Sequence, residues 1–167
     1  MGQYRRISAT LVIAALAAMA MAVPAGAQRS APIEAAEEHC VVWASGVDEN
    51  GELVLGDWTC GSGLSAAIAG GSGIMAFSTS FTIGRHFSST GYSGSSVTIQ
   101  GSSACGGGVW KPSGSWNNTI ESSYHYCGSS PTRFYDSSSC GGTSKAIYSA
   151  TSSLTWMNNR ASCVRYG

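Results

Sequence analysis

The chain has no C-x-x-C pair, no H-E-x-x-H, no G-x-S-x-G and no glycine-rich phosphate loop leading into a helix. The first absence argues against a zinc knuckle or a thioredoxin-like redox centre, and the others argue against a zinc peptidase, a serine hydrolase and a nucleotide site. Charge is scarce too. Asp, Glu, Lys and Arg supply 11% of 167 residues, too few acids for a hydrolase built on paired carboxylates. His86 and His125 fall in strand-like segments, and a triad with Ser and Asp136 would rest only on the abundance of serine. The sequence therefore predicts a protein that is not an enzyme.

Long apolar runs are also missing beyond the N-terminus. Arg5 and Arg6 precede an apolar run from Ala9 to Val23, and Ala25-Gly26-Ala27 forms a small-residue cleavage signal. Residues 1–27 thus read as a secretory signal peptide, and Pro24 and the short Ala-rich core separate it from a membrane span. A secreted, extracellular protein with no membrane partner is expected. Residues 28–38 read as a flexible leader, and the remainder has the length of one ordinary domain.

What the chain does have is six cysteines, Cys40, Cys60, Cys105, Cys127, Cys140 and Cys163, all in the exported part. An oxidising compartment favours three disulfides, whose connectivity the count leaves open. Charge is also polarised. Seven acids and one base lie between Gln28 and Phe81, whereas six bases and two acids lie beyond Phe81. The bases are scattered, so mutual attraction of the halves is favoured over a nucleic-acid partner.

HCVVWASGVDENGELVLGDWTC, His39 to Cys60, places two strand-like segments around a DENG turn. This predicts a hairpin closed by Cys40 and Cys60, a bridge worth about 3 kcal/mol through the unfolded chain. Leu64 to Ala69 is the one segment with helical character, ended by Gly70 and Gly71. Residues 39–75 are expected to hold the hairpin and this short helix. Beyond Ile74, Ser, Gly, Thr and aromatics alternate in short runs, the signature of an all-β sandwich or barrel.

That β region repeats itself. With Gly94 aligned on Gly142, Phe87 faces Tyr135, Tyr92 faces Cys140 and Ile99 faces Ile147. Downstream, Asn117-Asn118 matches Asn158-Asn159, with Trp116 and Trp156 just before. Two in-register aromatics can stack across a hairpin folded over its sheet, the Gly permits positive φ, and the Asn pair suits a tight arch. Motif one spans 80–128 and motif two 131–167, and neither can bury its apolar face alone.

These residues carry a resemblance to the βγ-crystallin superfamily, whose Greek-key motif reads aromatic, acidic or polar residue, three variable residues, aromatic, one residue, Gly. Tyr135-Asp136-SSS-Cys140-Gly141-Gly142 follows it with Cys for the second aromatic, and FSSTGYSG follows it with Ser88 at the acidic position. The resemblance implies a two-motif sandwich over residues 80–167. It also implies that Ser122 fastens the folded hairpin of the first motif. Cys163 takes that place in the second, so a Cys140–Cys163 bond replaces the usual contact and leaves Cys105 with Cys127.

The same family often binds calcium through two Asn/Asp residues, two variable positions, Ser/Thr and Ser. NNTIES and NNRASC each depart from this at one position. Carried over by position, the resemblance implies a candidate calcium site from Asn117, Asn118, Thr119, Glu121 and Asp136, which brings the two acids of the domain together, and a weaker one from Ser88, Asn158, Asn159, Arg160 and Ser162. Oxygen ligands of this kind suit calcium.

A binding role is the remaining expectation. Size and layout are similar to the secreted bacterial peptidase inhibitors of the Streptomyces metalloproteinase inhibitor family. The corresponding expectation is a monomer acting on a secreted peptidase or another extracellular protein through an exposed Cys105–Trp116 loop carrying Trp110, Lys111 and Pro112.

Overall fold

The structure, a computed structural model, describes residues 36–63, 80–103 and 105–167. The expected signal peptide, most of the expected leader and the helix expected at Leu64 to Ala69 lie outside the described residues. All described residues belong to one compact unit, Ala35–Gly167.

The chain forms β1 (His39–Val47), β2 (Leu53–Gly61), β3 (Phe81–Ser89), β4 (Ser93–Gly101), β5 (Val109–Trp110), β6 (Ser122–His125), β7 (Thr132–Tyr135), β8 (Ser144–Ile147) and β9 (Cys163–Tyr166). They build two sheets, in the orders β2-β1-β4-β3-β6 and β5-β9-β7-β8. The expected all-β architecture is what forms. Three disulfides join Cys40 to Cys60, Cys105 to Cys127 and Cys140 to Cys163.

The N-terminal hairpin turns where its sequence says it should. The Asp48 carboxylate accepts the Asn50 and Glu52 amides at 2.9 and 2.8 Å, and Gly51 takes φ +80°. These are the Asx-turn bonds that make Asp a turn residue. Cys40 and Cys60 face each other across the β1–β2 ladder. β1 also pairs in parallel with β4, from His39 opposite Ser96 to Ala44 opposite Gly101, so the hairpin widens the first sheet.

The two repeats exchange strands. β5 follows β4 in the first repeat but pairs with β9 in the second sheet. In return Thr151 of the second repeat bridges to Ser123 of β6, with both backbone bonds formed at 2.9–3.0 Å. Each repeat thus closes the sheet of the other.

Alternation decides what lies between the sheets. Val42, Val97 and Ile99 point inward from the first sheet and Trp110, Phe134, Ile147 and Val164 from the second, with Ile120, Leu154, Met157 and Ala161 sealing the arches. Full burial of each large apolar side chain contributes roughly 1.5–3 kcal/mol. So short an apolar list is consistent with a core that leans on crosslinks.

Candidate functional site

The folded hairpins and the Asn-Asn arches are tied together by backbone bonds in matched pairs. In the first repeat Tyr92 has φ +62° and Gly94 φ +76°; in the second Cys140 has φ +58° and Gly142 φ +77°. A Cβ on Gly94 would meet Ser88 Oγ at 2.5 Å, and one on Gly142 would meet Asp136 Oδ1 at 2.7 Å, so both positions require glycine. Tyr92 stacks on Tyr124 with centroids 4.4 Å apart, and Phe87 meets both rings edge-on.

Ser122 holds the first hairpin down. Its hydroxyl donates to the Ser89 carbonyl at 2.6 Å and accepts the Tyr92 amide at 3.1 Å. In the second repeat the Cys140–Cys163 bond performs the same fastening covalently.

The arches bond reciprocally. The Asn118 amide donates to the Ala161 carbonyl and the Asn159 amide to the Ile120 carbonyl, both at 3.1 Å, with the two Asn at φ +58° and +55°. Asn is the residue that best tolerates this left-handed conformation after glycine. Each arch also hangs on the hairpin of its own repeat. The Glu121 amide donates to the Phe87 carbonyl and the Ser162 amide to the Tyr135 carbonyl, both at 2.9 Å.

Asn118, Asp136, Asn159 and Arg160 line one open cleft between the arches. Here Glu121 Oε1 accepts from the Asn159 amide group at 2.6 Å, Asn118 Oδ1 accepts from the Ser162 hydroxyl at 2.9 Å, and Asp136 accepts from Thr143 N and from Arg160 Nη2 at 3.0 and 3.3 Å. The carboxylates of Glu121 and Asp136 are therefore held by successive residues of the second arch. Ser88 and Thr119 line a second, separate cleft with Ser115 and Trp116. Asn117 is exposed, and Asn158 bonds to Ser153 within its own arch.

This donor set does not fit a calcium ion as it stands. Calcium takes six to eight oxygens. The Arg160 guanidinium is paired with Asp136 at 3.3 Å, so a cation placed there would meet a fixed positive charge. Glu38, Cys40 and Cys60 also cluster, but both sulfurs are in a disulfide and offer no thiolate.

The loop from Cys105 to Trp116 differs from expectation. Trp110 is 3% exposed and Pro112 is buried, because β5 fills its place beside β9 and turns the indole into the core. Lys111 is exposed but ion-paired with Glu52 of the N-terminal hairpin. The expected display of Trp110 and Pro112 is thereby overturned.

His86 is sealed in the core. It stacks on Trp110 at 5.3 Å and meets Phe134 edge-on at 5.6 Å. Its Nδ1 lies 2.9 Å from Ser123 Oγ and its Nε2 2.6 Å from the Tyr166 hydroxyl. Ser123 Oγ has the Arg85 and Tyr124 carbonyls to donate to, so Nδ1 carries the proton and Nε2 accepts from Tyr166. Burial lowers the His86 pKa to about 3 and raises that of Tyr166 well above its usual range, keeping both neutral. Asp136 is engaged elsewhere, and among the described residues no carboxylate bonds to His86. His125 bonds to Thr132 and the Gly128 carbonyl. Among the described residues neither His86 nor His125 bonds to a carboxylate.

Sequence reasoning misses this trio because a lone His in a strand carries no signal of its partners, which lie far along the chain. Against known proteins, the chain matches no family model, no curated protein and no solved structure.

Proposed function

We propose that the chain is an exported, non-enzymatic binding module of the βγ-crystallin type, each repeat being one Greek-key motif, with its own arginine in place of a bound calcium ion. The observation that carries this reading is the reciprocal exchange: β5 crosses to the second sheet, Thr151 crosses to the first, and the arches trade backbone bonds in matched pairs. Such pseudo-twofold pairing is what a duplicated Greek-key unit produces. The three disulfides support export, since reducing compartments do not preserve them.

The cleft supports the second half of the proposal. Arg160 supplies the positive charge beside Asp136, and Asn159 holds Glu121, so the arches close without an ion. A peptidase inhibitor acting through the Cys105–Trp116 loop is not favoured, because Trp110 and Pro112 are buried.

Thermal melts in millimolar calcium and in chelator test the reading, on the native chain and on Arg160→Ala. The native melting temperature is expected to be unchanged, whereas Arg160→Ala, with Asp136 freed, gains a calcium-dependent rise of a few degrees. A native rise of several degrees would reinstate a resident calcium ion.

A further inference from the structure

From the outer face of the first sheet we infer a binding site for a carboxylated sugar, centred on Arg85. It gives the binding role proposed above a ligand class and rests on that role, but not on the state of the arch cleft.

Thr98, Arg85 and Tyr124 lie directly opposite one another across β4, β3 and β6, so their side chains share one face. The Arg85 guanidinium sits 4.9 Å over the Phe87 ring. Among the described residues it makes no hydrogen bond and no ion pair, although it is partly buried. Its Nε is buried without a partner. Among the described residues one other buried side-chain atom shares that condition, Oγ1 of Thr98, a residue 6% exposed. The two unpartnered polar atoms thus belong to cross-strand neighbours on the same face.

A partly buried guanidinium with an aromatic face but no hydrogen-bond acceptor favours a planar oxyanion that its fork can hold with two bonds. The surroundings narrow the class. Tyr124 flanks Arg85, and Tyr126 lies 6.4 Å from Tyr124 and is 42% exposed. Aromatic rings beside a carboxylate receptor suit a ligand with an apolar ring face next to its anion. A uronic acid residue has both, the C–H face for the tyrosines and the C6 carboxylate for Arg85. An aspartyl or glutamyl side chain has the carboxylate without the ring.

Calorimetry on the purified chain at low salt tests this with tetragalacturonate, its methyl ester and a poly-glutamate of equal charge. Tetragalacturonate is expected to bind, the ester at least tenfold more weakly. Arg85→Gln should weaken binding at least tenfold, Arg85→Lys severalfold through loss of the fork, and Tyr126→Ala about threefold with the arginine intact. Unchanged melting curves of Arg85→Lys and Tyr126→Ala keep the outcome readable where Arg85→Gln perturbs the sheet. No binding of tetragalacturonate, equal binding of the ester, or equal or better binding of poly-glutamate would overturn the assignment. None of these results bears on the calcium melts.

Discussion

The two repeats share a backbone but hold it by different means. Gly114, Asn118, Tyr92 and Gly94 in the first have left-handed counterparts in Thr155, Asn159, Cys140 and Gly142, and each φ agrees with its counterpart within a few degrees. Yet the first repeat fastens its hairpin by the Ser122 hydroxyl and a tyrosine stack, and the second by a disulfide. In the core, His86 of β3 occupies the position that Phe134 has in β7, and both are fully buried. The shared backbone conformation is thus the constraint. The chemistry that satisfies it is free to differ.

The largest expected effect comes from removing the covalent fastening. Replacing Cys140 by Ala and Cys163 by Ser opens a loop of 23 residues' separation, which lowers stability by about 3.5 kcal/mol. Ser122→Ala removes a buried hydroxyl with two bonds and should lower it by about 1–2 kcal/mol. Denaturant midpoints of the two variants measure the ratio. Equal losses would mean that the covalent fastening is worth no more than the hydroxyl, and no loss in either that the hairpins are not held by these contacts.

The second effect separates His86 from Phe134 by pH. Its folded pKa, about 3, lies below the ordinary 6.5, so the unfolded chain binds the proton more readily between those values. The stability that the neutral imidazole contributes is complete above pH 6.5 and falls as the pH drops toward 3. By pH 4 the loss is about 3 kcal/mol. His86→Phe, which copies the second repeat, should be less stable at pH 7 because Ser123 and Tyr166 lose a partner, but its stability should lack this component of acid dependence. Parallel acid profiles for the two proteins would show that His86 does not carry it.

Local signals in the sequence suffice for the all-β class and for the presence of three disulfides, whose pairing the cysteine count alone leaves open. Gly94 and Gly142, the Asn pairs and the cysteines are set by backbone conformation and crosslinking, which residue type and spacing express directly. The departures concern long-range placement. Trp156 aligns with Trp116 by residue type, but the arches superpose Trp116 on Met157: both donate their amide to the carbonyl three residues back, both are buried, and Trp156 is 47% exposed. An indole is conspicuous in a sequence, while the left-handed Asn that sets the register is not. Trp110 reads as a surface residue because no local pattern shows that a strand crosses to the other sheet. Nor does composition show that Arg160 meets Asp136, or that β1 pairs with β4 in parallel.

The smallest effect tests the backbone equivalence itself. Thr155 has φ +56° where its counterpart Gly114 has φ +58°. A β-branched residue in the left-handed region costs about 1–2 kcal/mol, of which the extra freedom of unfolded glycine would offset roughly half. Thr155 is exposed; its hydroxyl accepts from Lys145 at 2.9 Å and donates to the adjacent Leu154 carbonyl at 2.7 Å, a carbonyl that also accepts the Met157 amide and so keeps a partner without the hydroxyl. Thr155→Gly should therefore stabilise the protein by about 0.5–1 kcal/mol, seen as a higher denaturant midpoint at constant slope. Gly114→Thr should destabilise it by a similar amount, since a Cβ there meets nothing within 4 Å and backbone strain alone opposes it. If both substitutions lower the midpoint, the two arches differ in more than their side chains, and the Lys145–Thr155 contact holds the second arch in place.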